Sequence, residues 1–263
     1  MFELFGLALF TSVFSATILS MIGRHFVLRG LSLYVLPLHQ LAILVYLIFS
    51  FWFPEGVLLK VFGAAVSTLI LSMILKLKRA MSQHSLLIAY VIILATNLLL
   101  VRLHPAFEIK VSQALFGDIA LLSESSSLFL IAGAFCCLCL MWIFRRELLR
   151  QSFEKHIYGR SLSVSSCLSA IDFIFFFFVT FCLIDMGFLF SIASLILGPL
   201  ILGGAFLSWR SMSIASSLST ALGVAFGFGL SLKSEVVGAT PAAVVAVATL
   251  CLIVVGLKKT LSR

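Results

Sequence analysis

The chain has 263 residues, of which 62% are hydrophobic and 11% charged, with a formal net charge of +8 and a mean hydropathy of +1.23. That composition lies far outside the range of soluble domains and predicts a polytopic membrane protein. The basic residues sit in short stretches between apolar runs, which is how topology is set, and this excludes nucleic acid as the partner of the positive charge.

A membrane span needs about 20 mostly apolar residues. Nine stretches qualify, at 3–22, 33–53, 57–75, 85–103, 127–144, 164–184, 187–207, 213–231 and 238–257. The opening MFELFGLALF carries Glu3 and lacks a basic leader and a small-residue cleavage site, so the first span is expected to be retained as a signal anchor. It places Ala8, Ser12, Ala16 and Ser20 four apart, a stripe that lets helix backbones approach closely in lipid. The second span opens with Pro37 and carries His39 and Gln40.

Between the fourth and fifth spans, residues 104–126 form the long outer connection. Its segment 111–122 is half apolar and too short to cross, which predicts an interfacial or re-entrant piece. Residues 145–160 follow the fifth span as the longest charged and polar run. Arg145, Arg146, Arg150, Lys155 and Arg160 stand there against Glu147 and Glu154, and Leu148, Leu149, Phe153 and Ile157 fall at helical spacing. A basic amphipathic helix in that place either sits on anionic headgroups or docks into a groove on a partner protein.

Asp172 lies near the inner end of the sixth span, where it is expected to snorkel or cap a backbone group, and Asp185 lies at the turn before the seventh. Gly198, Pro199, Gly203 and Gly204 break the seventh span, predicting a structural kink or a piece of a pathway. The eighth repeats the small stripe with Ala215, Ser219, Gly223, Gly227 and Ser231. With the N-terminus outside, most Lys and Arg fall on the inner face, leaving Lys60, Arg102, Lys110 and Lys233 on the other. The positive-inside rule therefore predicts N-out and C-in.

The six cysteines (136, 137, 139, 167, 182 and 251) all lie in or beside apolar runs, so no disulfide framework is expected and the CCLC cluster is assigned to helix packing. No nucleotide-binding loop exists, since Leu232 stands where a glycine must precede the lysine in GFGLSLKS. An intramembrane aspartyl protease is disfavoured by Leu115 in place of the first glycine before Phe116, Gly117 and Asp118. The five histidines are scattered singly, unlike a zinc hydrolase.

Taken together, Leu115 to Ile119 (LFGDI), Phe153 and Glu154 followed by a glycine-containing turn at Gly159, Asp172, then Gly187, Gly198 and Pro199, and finally GATPAAVV at 238–245 resemble the permease subunits of bacterial ABC importers for zinc, manganese and iron. At the N-terminal end Leu28 to Leu33 and His39 are similar to that family's Arg-Arg-Met-Ser-Leu run and Ser-His pair, with Leu38 in place of the serine and no counterpart of the family's aspartate.

The resemblance implies a single transmembrane permease domain over 1–263, all-α, with about nine transmembrane helices and a cytoplasmic amphipathic coupling helix at about 146–161. It implies transport rather than enzymatic turnover, with ATP hydrolysis on a separate ABC ATPase subunit that grips Arg150, Phe153, Glu154, Ile157 and Gly159. An extracytoplasmic metal-binding protein, a second permease (identical or a sister) and the lipid bilayer of the bacterial cytoplasmic membrane complete the partners. The divalent metal is substrate, with no permanently bound cofactor, and His39 is the candidate pathway ligand; Asp172 and Pro199 are candidates for pathway or structural roles. A stand-alone carrier or channel and a membrane-embedded enzyme are the alternatives.

Overall fold

The computed structural model describes residues 2–50, 52, 56–77, 83–104, 107–117, 119–158, 166–203, 206, 208–233 and 238–261. Among them no strand occurs, and helices carry nearly the whole chain. In order these are α1 (Phe2–Leu28), α2 (Val35–Phe49), α3 (Val57–Leu77), α4 (Gln83–Leu103), α5 (Phe107–Phe116), α6 (Glu124–Ile143), α7 (Arg145–Tyr158), α8 (Ser166–Asp185), α9 (Phe188–Ile192), α10 (Gly198–Gly203), α11 (Trp209–Lys233) and α12 (Ala239–Leu261). Six helical stretches among the described residues are long and apolar enough to cross a membrane: those of α1, α4, α6, α11 and α12, and α2 together with the 3-10 turn before it, Ser32–Phe49. Val57–Leu71 and Phe188–Gly203 are shorter apolar helical stretches.

Helix ends correct several predicted boundaries. α1 continues past residue 22 because nothing stops it before Gly30, whose φ of 68° is left-handed. There the Leu31 N–H donates to Phe26 O at 2.7 Å and the Gly30 N–H to Val27 O at 3.1 Å, which satisfies the last free carbonyls. Arg24, expected in an inner loop, therefore lies on the helix and is buried. α11 likewise starts at Trp209, so Arg210 is helical. At the start of α6 the Ser123 hydroxyl accepts from the Ser126 N–H at 3.2 Å, drawing the helix three residues earlier than predicted.

The core gathers around α1, α8 and the broken α9–α10 segment. Phe175, Phe176, Phe178, Val179 and Cys182 of α8 are buried together with Ile18, Leu19, Ile22 and Phe26 of α1. The predicted small stripe of α1 faces inward, with Ala8, Ser12, Ala16 and Ser20 all buried. α4 is peripheral, and its exposed Leu87, Ile88, Val91, Ile92, Leu98 and Leu99 form an apolar outer face suited to lipid.

The segment predicted as interfacial is the ten-residue α5 followed by a 3-10 turn at Ile119–Leu121. It is tucked in rather than lying free, with Val111, Ala114 and Ile119 buried. Asp118 of the LFGDI motif lies outside the described residues. Gly117 and Gly187 meet back to back with φ of 51° and 90°, and a Cβ on Gly117 would fall 2.3 Å from Met186 O. Only glycines fit both places.

Candidate functional site

Two regions of the bundle hold the residues that the sequence singles out. One is the α7 end, where α1, α7, α8 and α11 meet. The other is the opposite side, around α2, α3, α5 and the α8–α9 turn.

At the first, α7 begins directly after α6, with one residue, Phe144, between them. Its bundle-facing positions are Leu148 and Ser152, one turn apart and both buried, while Arg145, Arg146 and Arg150 are exposed. Arg150 pairs with Glu147 at 2.6 Å along the outer side. Ser152 Oγ donates to Leu148 O at 2.8 Å and lies 2.8 Å from His25 Nδ1 of α1. Phe153, 37% exposed, sits edge-on against Trp209 of α11 with ring centroids 5.6 Å apart. His25 also tilts against Trp209 at 5.4 Å, and the Arg24 guanidinium lies 5.3 Å from that ring.

Ser152, His25 and Trp209 thus key α7 to α1 and α11, and sequence periodicity had marked none of the three. A serine within a charged run and single His and Trp residues at the ends of apolar stretches carry no pattern of their own. Glu154 and Ile157 are on α7, but their side chains are outside what the structure describes; Gly159, Arg160 and Ser161 lie outside the described residues altogether.

Asp172 neither snorkels nor caps a backbone group. Its two carboxylate oxygens accept one bond each from the Nη1 and Nη2 of Arg29, both at 2.6 Å. This fork-to-fork pair ties the residue that ends α1 to the first half of α8. Its side chains are 12% and 17% exposed, at the edge of the core.

On the opposite side His39 is fully buried and stacks on Phe188 of α9, with centroids 4.3 Å apart and ring planes 19° from parallel. Neither ring nitrogen has a hydrogen-bond partner among the described residues. Pro37 occupies the first turn of α2, where no N–H is required. One residue beyond His39, both the backbone and the side-chain oxygen of Gln40 accept from Asn97 Nδ2 of α4 at 2.9 Å. Among the described residues no three of His, Cys, Asp and Glu come together as a metal-holding group, and His39 belongs to no such cluster.

Asp185 ends α8 and pairs with Lys60 of α3, and Ser126 of α6 donates to the same carboxylate at 3.2 Å. A cavity of about 180 Å³ lies against this pair, lined also by Tyr46, Lys110, Gln113 and Ser123.

Pro199 stands just after a π-helical stretch, Ala193–Leu197, between α9 and α10. The widened turn accommodates a residue that has no N–H and whose ring crowds the preceding carbonyls. The stretch packs tightly on α1, where a Cβ on Gly23 would fall 1.6 Å from Leu195 O. Beside it, the hydroxyls of Ser20 and Ser216 meet at 2.7 Å. Pro199 is itself buried there, with Gly198 and Leu202.

The fold is similar to that of PsaBC from Streptococcus pneumoniae, solved in complex with a Fab, with a TM-score of 0.76 over 94% of this chain and 88% of that one at 21% identity. No curated protein matches the sequence. The profile of the ABC 3 transport family matches residues 1–259, and the chain belongs to that family, the metal-ion ABC transporter permeases.

Proposed function

We propose that this permease carries zinc, manganese or iron inward across the bacterial cytoplasmic membrane, with nine spans, its N-terminus outside and α7 in the cytosol. A separate ATPase grips α7 through Arg150, Phe153, Glu154, Ile157 and Gly159, an extracytoplasmic binding protein delivers the ion, and a second permease completes the pore. The observation that carries this reading is how α7 is joined to the bundle. It is fastened at Ser152 to α1 and at Phe153 to α11, while its arginines stay exposed. A helix held that way passes rigid-body motion into the spans and still offers a charged face to a partner.

His39 is the pathway donor in this reading, because neither nitrogen of its buried imidazole has a hydrogen-bond partner among the described residues, which leaves a lone pair for a passing cation. Its borderline softness suits zinc or iron better than manganese. Proteoliposomes holding the permease with its ATPase and binding protein, assayed ion by ion, test the proposal. ATP-dependent uptake is the expected result. Uptake by the purified chain alone, with no ATPase, would sink it in favour of a self-sufficient carrier.

A further inference from the structure

At the α7 end of the bundle, a groove of about 550 Å³ opens between α1, α6, α11 and the start of α7. Its charged lining is all positive, and Ser213 adds a hydroxyl. Arg24, Arg145 and Arg210 line it with His25, and among the described residues no carboxylate does. The nearest acid along α7, Glu147, is taken by Arg150 at 2.6 Å. Its other wall is apolar, formed by Leu138, Met141 and Ile214.

The second observation is Arg24 itself. It is only 4% exposed, yet its Nε and Nη1 have no hydrogen-bond partner among the described residues. The face of Trp209 is its close neighbour. A buried guanidinium left that way is costly unless an anion completes it. Its natural complement is a phosphate, which accepts the guanidinium fork in two places.

We propose that this groove binds an anionic phospholipid, its phosphate held by Arg24, Arg145 and Arg210 and its acyl chain lying along Leu138, Met141 and Ile214. The depth fits, because Trp142, 80% exposed at the end of α6, and Trp209 mark the headgroup level that tryptophan favours. The groove also leads onto the lipid side, since Ile214 is 67% exposed. Three cations with no acid among the described lining residues favour an anionic over a zwitterionic headgroup. The site depends neither on the transported metal nor on the ATPase; only its assignment to the inner leaflet follows from the proposed orientation.

Of the three tryptophans, Trp142 and Trp209 flank the groove, so Trp52→Phe leaves a reporter specific to it. The full chain carrying that substitution is reconstituted in phosphatidylcholine vesicles with rising fractions of brominated phosphatidylglycerol or brominated phosphatidylcholine, and tryptophan quenching is read. Half-maximal quenching is expected at an about fivefold or more lower fraction of the anionic lipid, the order set by one arginine near a headgroup. Arg145→Gln with Arg210→Gln, both at exposed positions, is expected to shrink that preference, and Arg24→Gln to do the same. Equal quenching by the two lipids overturns the site, as does a preference that survives the Arg145→Gln, Arg210→Gln pair. Glycerol 3-phosphate at millimolar concentration separates a lipid from a free anion: loss of the preference on adding it overturns the lipid assignment, and an unchanged preference supports it.

Discussion

The Arg29–Asp172 fork shows how a single contact can hold two distant parts of the chain at the α7 end. It joins residues 143 positions apart with two bonds of 2.6 Å at the rim of the core. Because the pair is partly exposed, it is worth less than a fully buried one, and Asp172→Asn is expected to cost about 2 kcal/mol. Denaturation of the detergent-solubilised protein measures this, and Arg29→Gln added to Asp172→Asn should cost little more. His39 carries the other residue-scale prediction: His39→Ala should lower metal uptake by about tenfold, on the scale seen when a metal site's donors or their supports are altered. Uptake at the parental rate would remove His39 from the pathway. Asp172 and His39 could both be singled out from the sequence, as an acid and an imidazole within apolar runs. The partners could not, because Arg29 and Phe188 become their neighbours only through helix packing.

Among the elements, α7 and the α11–α12 pair show opposite kinds of constraint. The helical spacing within 145–160 predicted α7, but its bundle-facing side is Leu148 and Ser152, with Phe153 at the rim. Phe153→Asp should leave the protein inserted and stable while uncoupling uptake from ATP hydrolysis, measured as ATPase turnover per ion transported. Normal coupling in that variant would detach Phe153 from the proposed role. The α11–α12 contact is instead one of backbone against backbone. A Cβ on Gly227 would lie 2.4 Å from Ala243 Cα, where no side chain can move aside. Gly227→Val should therefore cost about 3 kcal/mol in unfolding experiments. Gly229, two positions on, has nothing within 4 Å, and Gly229→Ala should be neutral or stabilising by up to about 1 kcal/mol. The small stripe was legible in the sequence; which of its members touch backbone was not.

For the whole molecule, the proposed topology fixes which loops a reagent can reach from each side. With α7 in the cytosol, a single cysteine at position 150 should react with a membrane-impermeant maleimide in inside-out vesicles, and one at position 110 in right-side-out vesicles. The reverse labelling would invert the topology. Composition and charge distribution determined on their own that this chain lives in a bilayer as packed helices, because 62% hydrophobic residues in runs of about 20 leave no other way to satisfy the backbone. The order of weak motifs, from LFGDI to GATPAAVV, also carried the family. Only the tertiary structure decided that Arg24 is buried on a helix, that a π-helical stretch precedes Pro199, and that α7 hangs from His25 and Trp209. Such contacts join residues on helices far apart in the chain, and hydrophobic periodicity, which reports only the environment of each helix face, holds no record of which face meets which.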